Sequence, residues 1–189
     1  FHTRFPEYVN TRVPILPIGP GYALMRWFHG AATRTLVSNQ DLIEELRNRG
    51  FSNLVLWRRG VDTDLFRPMA KDFLDGPRPI FMYMGRVAPE KNIEDFLRLD
   101  LPGTKYVVGD GPARQELEAR YPEIRFTGMQ TGEALVRHLS NADCFVFPSR
   151  TDTLGLVMME ALACGVPVAA YPVTGPSSLI QKGETGYLD

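Results

Sequence analysis

From Ile80 onward the chain alternates short runs that are apolar throughout with segments whose apolar residues recur every three or four positions. The first kind reads as strands buried on both faces, the second as helices that turn one face to a core. The spacing predicts strand Ile80–Met84, helix Ile93–Leu99, strand Tyr106–Val108, helix Ala113–Arg120 and strand Ile124–Thr127. Helix Glu133–Ser140, strand Cys144–Pro148, helix Gly155–Ala163 and strand Val166–Tyr171 follow, and Thr185–Asp189 ends on a further strand. Such a rhythm specifies a parallel sheet with helices on both sides, and in such sheets ligands bind beyond the carboxyl ends of the strands.

The first third carries a shorter version of the same rhythm. Residues 1–18 are punctuated by Pro and hold no periodicity, whereas Tyr22, Leu24, Met25, Phe28 and Ala32 space a helix over Gly21–Ala32. Strand Thr35–Val37 comes next, then Ser38-Asn39-Gln40-Asp41 as N-cap chemistry for a helix through Arg49, with Gly50 as its stop and Leu54–Trp57 as a strand. Arg67-Pro68 to Pro79 is rich in Pro, Gly and charge. The expected organisation is residues 1–62 as the end of one domain, 63–78 as a linker and 79–189 as a second domain. Phe1 opens without Met or leader, and the chain is expected to be a piece of a longer protein.

Composition narrows the function classes. Lys and Arg number 21 against 22 Asp and Glu, a net charge of −1, so no global basic field argues for nucleic acid and any anion site must be local. Cys144 and Cys164 lie in apolar stretches without metal-ligand spacing, which speaks against a zinc site or a disulfide framework and for a reducing, cytoplasmic setting. No run approaches the roughly 20 apolar residues of a membrane span.

Three loops carry candidate chemistry. Gly85-Arg86-Val87-Ala88-Pro89-Glu90-Lys91-Asn92 places two cations before a helix, Arg86 able to fork onto a diphosphate and Lys91 to meet it as a point charge. Gly109-Asp110-Gly111-Pro112 permits close backbone approach. Each alone is also an ordinary turn. In Pro148 to Val168, Asp152 precedes a helix that starts near Gly155, and Glu160 lies a turn and a half inside. The free amides of that helix start attract phosphate, and the two carboxylates can accept from sugar or ribose hydroxyls, although a capping Asp and an exposed Glu are each common.

The last segment resembles the family 4 (group 1) retaining glycosyltransferases of the GT-B fold, whose signature is an acidic residue, seven intervening residues and a Glu, here Asp152 and Glu160 with Asp where the family usually has Glu. The resemblance extends through Gly85-Arg86 with Glu90-Lys91-Asn92, Gly109 to Pro112, Phe126 to Met129, Asp143 to Pro148 and Ala161 to Val168, in family order. It implies a C-terminal Rossmann-like donor domain preceded by the tail end of an N-terminal Rossmann-like domain, and transfer of a sugar from a nucleoside diphosphate to an acceptor hydroxyl with retention. Arg86, Lys91 and the amides of Thr153, Leu154, Gly155 and Leu156 would then face the diphosphate, Glu160 the ribose, the backbone at Met129 and Gln130 the base, and Asp152 the transferred sugar, with Gly109 also in the donor site. His2 would face that sugar too, or be an uninvolved loop His; Arg59-Gly60-Val61-Asp62 is similar to the family's junction, with Arg for Asn. His29 and His138, on predicted helices, suit surface or capping roles.

Within the family the match is closest to lipid-directed mannosyl- and sulfoquinovosyl-transferases, through His2-Thr3 with Phe5-Pro6-Tyr8 and through Thr151 to Gly155. The resemblance implies a GDP- or UDP-sugar donor, a lipid or glycan acceptor, and no metal or other cofactor. Arg26, Trp27 and Phe28 read as a packing face or, alternatively, as an acceptor or membrane surface, so peripheral membrane contact of the full-length protein is one expectation. A nucleotide-sugar epimerase-like protein and a non-catalytic nucleotide-sugar-binding module are the rival readings. Residues 1–189 alone are expected to be inactive, since a GT-B site lies between two domains.

Overall fold

The computed structural model describes residues 6, 18–57, 59–150, 152 and 155–189. The chain divides into two compact units, residues 1–59 with 151–154, and residues 60–150 with 155–189.

The described part of the first unit contains helix α1 (Ile18–Gly30), strand β1 (Thr35–Val37), helix α2 (Gln40–Asn48) and strand β2 (Leu54–Leu56). β1 and β2 pair in parallel, Thr35 opposite Leu54. The cap read from sequence forms at the N-terminus of α2, where Asn39 Oδ1 accepts the Leu42 amide at 2.8 Å. Leu42, Ile43 and Leu46 lie on one face of α2 and pack with Tyr22, Val37 and Phe51 into a small core.

The second unit is built on strands β3 (Ile80–Met84), β4 (Thr104–Val108), β5 (Arg125–Gly128), β6 (Cys144–Phe147), β7 (Val168–Ala170) and β8 (Gly186–Leu188). Between them lie helices α3 (Ile93–Leu97), α4 (Arg114–Arg120), α5 (Gly132–Asn141), α6 (Leu156–Ala163) and α7 (Thr174–Ser177). The order across the sheet is β5-β4-β3-β6-β7-β8, all pairs parallel. Successive strands therefore run outward from β3 to one edge, then return to the other side of β3 at β6. The turning place between β3 and β6 is the topological switch point of a doubly wound sheet.

Side-chain alternation explains why the central strands β3 and β6 are apolar throughout. Ile80, Met82 and Met84 of β3 join Phe145 and Phe147 of β6 against Val136 and Leu139 of α5 and Met158 and Ala161 of α6. Tyr83 and Val107 face the opposite way, with Phe96 and Leu97 of α3 and Leu117 of α4. At the centre of the sheet both faces are covered, so β3 and β6 are apolar at consecutive positions, whereas β4 begins with Thr104 and Lys105 and the edge strand β5 carries Arg125 and Thr127.

Element ends differ from expectation by small steps with identifiable causes. The Val166 amide closes onto the Ala161 carbonyl at 2.9 Å and Pro167 has no N–H, so the β7 ladder starts at Val168. Helix α3 stops at Leu97 because Lys105 Nζ takes the Leu97 carbonyl at 2.7 Å and also the Leu99 carbonyl. The 3-10 turn Pro89–Lys91 and helix α7 were not expected; pieces of three and four residues are too short to show a period. His138 is buried rather than at the surface, its ring edge-on to Phe73 and its Nδ1 2.7 Å from the Ala134 carbonyl oxygen.

The stretch rich in Pro, Gly and charge before β3 lies on this unit. Phe66 is buried in the larger core, and Val61, Leu65, Met69 and Leu74 pack against it. Asn141, at the end of α5, accepts the amides of Phe73 and Leu74 at 2.8 and 3.3 Å and donates to the Ala70 carbonyl at 3.0 Å. The Asp-x-Asp triplet here, Asp62-Thr63-Asp64, makes a turn: Asp62 Oδ1 accepts the amides of Asp64 and Leu65 at 3.0 and 3.2 Å.

Asp143 ties the same stretch to the sheet, accepting Lys71 Nζ at 2.7 Å, Arg78 Nη1 at 2.6 Å and the Ile80 amide at 2.8 Å. Burial pushes its carboxyl up, but the bonds from Lys71, the Ile80 amide and Arg78 outweigh burial and hold it below the ordinary Asp range. A depressed carboxylate stabilises the fold above its unfolded pKa and loses that contribution as pH falls. Asp143→Ala is therefore expected to cost about 2 kcal/mol at neutral pH. The gap between the two melting curves should close as pH drops below about 4. A gap that stays constant down to pH of about 2 would show that charge is not what Asp143 contributes.

Candidate functional site

The carboxyl ends of β3, β4 and β5 surround a cavity of about 650 Å³. Met84, Gly85 and Arg86 come from the end of β3, Val108 to Gly111 from the end of β4, and Met129 and Gln130 from beyond β5. Leu135 of α5 and Val157 and Glu160 of α6 complete the lining. The volume falls within the usual range for a small-molecule site, and the place is where a doubly wound sheet holds ligands.

Backbone bonds lock the first two loops side by side. The Gly85 amide donates to the Val108 carbonyl at 2.9 Å, the Val87 amide to Asp110 at 2.9 Å, and the Gly109 amide to Gly128 at 2.8 Å. Gly109 sits at φ 137°, and a Cβ there would lie 1.9 Å from the Gly85 carbonyl oxygen. Only Gly brings the strands' ends this close.

Arg86 enters from this frame with its side chain 61% exposed, its Nη1 3.3 Å from Glu90 and its carbonyl accepting the Tyr83 hydroxyl at 2.9 Å. A forked donor with a fixed backbone and a free outer face suits an incoming anion. Asp110, the acid nearest in sequence to the β4 turn, accepts the Gly111 amide at 2.7 Å and pairs with Arg114 at 3.3 Å. Its charge is thereby partly neutralised. Gln130 donates to the Thr127 carbonyl at 3.0 Å, and Met129 is 66% exposed.

Glu160 differs from both acids. It is half-buried, no side-chain donor meets its carboxylate among the described residues, and burial pushes its pKa up. A desolvated carboxylate without a donor is set to accept hydroxyls from a ligand. Ser149, fully buried just past β6, likewise has a hydroxyl without a partner among the described residues. Such groups cost stability unless a ligand or water completes them.

Of the residues singled out by sequence, Arg86, Gly109, Met129, Gln130 and Glu160 line the cavity. Lys91 ends the 3-10 turn that follows the Arg86 loop and is half-buried outside the lining. Gly155 takes the left-handed backbone at φ 68° as the N-cap of α6, and Leu156 is that helix's first residue. Asp152 falls with the first unit. His2, Thr153 and Leu154 lie outside the described residues. Asp110, Leu135 and Val157 were not anticipated in the lining; Asp110 sits in a turn already singled out, while Leu135 and Val157 carry only the helical period of a core face. The described residues contain no group of three or more His, Cys, Asp or Glu arranged to hold a metal ion.

Comparison with known proteins agrees with this architecture. The chain is similar to the sulfoquinovosyl transferase SQD2 of Arabidopsis thaliana, 32% identical over 208 residues, covering 100% of this chain and 41% of that protein. It is equally similar, at 32% over 197 residues, to a GDP-mannose-dependent alpha-mannosyltransferase of Mycobacterium tuberculosis, covering 100% of this chain and 52% of the relative. The chain thus spans about half the length of these relatives or less. Among solved structures, sucrose-phosphate synthase from Thermosynechococcus elongatus superposes with a TM-score of 0.74 at 26% identity, over 88% of this chain and 47% of that one. HepE of Anabaena, solved in complex with UDP-glucose, gives 0.74 at 18% identity over 90% of this chain and 54% of that one, a likeness of fold. The parallel α/β sheet is accordingly that of the GT-B enzymes, and because residues 78–188 match the family described as "Glycosyl transferases group 1", the chain belongs to the group 1 glycosyltransferases.

Proposed function

We propose that the protein is a retaining glycosyltransferase that moves a sugar from a nucleoside diphosphate to an acceptor hydroxyl, and that its second unit binds the donor nucleotide. The observation that carries this reading is the gathering of Arg86, the Gly109 turn and the donor-less carboxylate of Glu160 around one cavity at the carboxyl ends of the strands. Arg86 meets the diphosphate there, with Lys91 from the same loop. Glu160 accepts the ribose hydroxyls, and the backbone at Met129 and Gln130 faces the base. The amides of Thr153 to Leu156 are assigned to the phosphates, and Asp152 and His2 to the transferred sugar.

The chemistry follows from where charge develops. As the anomeric bond breaks, the electron pair leaves with the diphosphate, and preorganised donors stabilise that charge without reorganising. Arg86, Lys91 and the α6 amides act on the leaving group, which places them in the machinery of transfer as well as of binding. GDP- and UDP-sugars are the donor candidates, supported by the mannosyltransferase relative and by the UDP-glucose complex of the structural neighbour.

The acceptor proposed is a lipid or glycan, in line with the mannosyl- and sulfoquinovosyl-transferase relatives. A cytoplasmic protein held peripherally at the membrane fits that acceptor. Leu24, Trp27 and Phe28, 63%, 77% and 68% exposed along α1, offer an apolar face for such contact. No helix among the described residues is long and apolar enough to cross a membrane.

Calorimetric titration with GDP, UDP and ADP tests the donor site. One diphosphate should bind saturably, and Arg86→Ala with Lys91→Ala should weaken it about thirtyfold, the loss of two charge-assisted contacts. Equal affinity in the double variant would remove the assignment.

A further inference from the structure

Asp95, in the first turn of α3, collects donors from three segments. Its Oδ2 accepts the Tyr171 hydroxyl at 2.7 Å from just past β7, the Asn92 side-chain amide at 2.5 Å, and Arg150 Nη2 at 3.3 Å from the loop after β6. Asn92 also donates to the Pro148 carbonyl at 3.3 Å, and the Arg150 guanidinium lies 4.2 Å from the centre of the Tyr171 ring. Asn92 is held in the left-handed region, φ 54° and ψ 34°, the single non-Gly residue with positive φ among the described residues. Asn tolerates that conformation, though it is sparsely populated outside Gly.

The cluster spans the switch point. Asn92 terminates the loop that carries Arg86 and Lys91, and Pro148 and Arg150 open the loop that leads to α6. An Asp at a helix start ordinarily caps its own amides. This one instead accepts from side chains of the β3, β6 and β7 loops. Bonds from Tyr171 and Asn92 outweigh burial and, with Arg150 beside it, hold the carboxyl below its ordinary range, so it is ionised and acts as a fixed acceptor.

We propose that Asp95 is a positioning residue of the donor site: with Tyr171 it fixes Asn92, and through Asn92 the placement of the Arg86–Lys91 loop against the β6 loop. The proposal rests on the reading of the cavity as a donor-nucleotide site. Asp95 does not touch the ligand, since its own negative charge repels a diphosphate; it acts through the cations of the loop it anchors. The contribution therefore belongs to the phosphates and not to the base or ribose.

The full chain and its Asp95→Ala, Asp95→Asn and Tyr171→Phe variants are titrated with UDP and GDP and, in parallel, with uridine and guanosine. Asp95→Ala should weaken the diphosphate about tenfold and leave the nucleoside within about twofold. Tyr171→Phe should lose a smaller factor, and Asp95→Asn, which keeps an acceptor, should recover part of the loss. In the Arg86→Ala, Lys91→Ala background the Asp95→Ala penalty should vanish, because the groups it positions are gone. Amide hydrogen exchange over residues 85–92 should quicken in Asp95→Ala. Equal weakening of nucleoside and diphosphate, a penalty that persists in the double-variant background, or unchanged exchange overturns the positioning role while leaving the donor site intact. Failure of the unsubstituted chain to bind any of the nucleotides overturns the donor-site reading and this proposal with it.

Discussion

Gly109→Val is expected to abolish nucleotide binding and to lower the stability of the second unit by at least about 3 kcal/mol. Two independent costs meet at this residue. Its φ of 137° lies where side chains are strained, and any Cβ would sit 1.9 Å from the Gly85 carbonyl oxygen, backbone that cannot swing aside as a side chain would. The β3 and β4 ends are also bonded to each other on both sides of the contact, Gly85 to Val108 and Val87 to Asp110. Relief would therefore have to open the loops that hold Arg86 over the cavity. Thermal unfolding monitored by circular dichroism and calorimetry with UDP and GDP read the two effects separately. A variant that melts like the parent would show that the loops part at little cost, and that their close approach is not what builds the site.

Much of this frame was legible before any coordinates. Ile80–Met84 was read to the residue because five apolar positions in a row, bounded by Pro79 and Gly85, leave a buried strand few places to begin or end. A cap within Ser38 to Asp41 was legible for the same local reason, capping residues placed just before an amphipathic run, and the structure assigns it to Asn39. What was illegible depends on contacts distant in sequence. Nothing local says that Phe66, in a stretch of Pro, Gly and charge, is buried against the sheet, or that Asn141 receives the Phe73 and Leu74 amides. The lining shows the same division. Arg86 and Glu160 announce themselves by charge next to loops or helix starts, whereas Leu135 and Val157 reach the cavity from helix faces that read as ordinary core. Asp95 was invisible as anything but a helix-start acid, because its partners Arg150 and Tyr171 lie 55 and 76 residues away.

Glu160 should show a trade between stability and binding, and the two should run in opposite directions with pH. Burial has raised its pKa from the ordinary 4.5, with no side-chain donor among the described residues to offset the desolvation. A carboxyl whose pKa is raised on folding stabilises the protein fully below its unfolded pKa and loses that contribution as pH rises through the folded value. The charged form of Glu160 therefore opposes folding in the unliganded protein, and Glu160→Gln, which keeps the volume and removes the charge, should melt higher than the parent at neutral pH. The difference should disappear as pH falls toward the unfolded pKa. Binding goes the other way, since ribose hydroxyls donate to the ionised form and favour it. Affinity for the nucleoside diphosphate should fall as pH drops through the raised pKa, and Glu160→Ala should weaken it about a hundredfold at neutral pH, near 3 kcal/mol for two hydroxyls on a desolvated charge. Here the nucleoside should suffer as much as the diphosphate, the opposite of what is expected at Asp95. Glu160→Gln that melts higher yet binds as the parent does would mean that the burial is real and the ribose contact is not. A loss confined to the diphosphate would place Glu160 with the phosphates, where a carboxylate could act only through the cations around it.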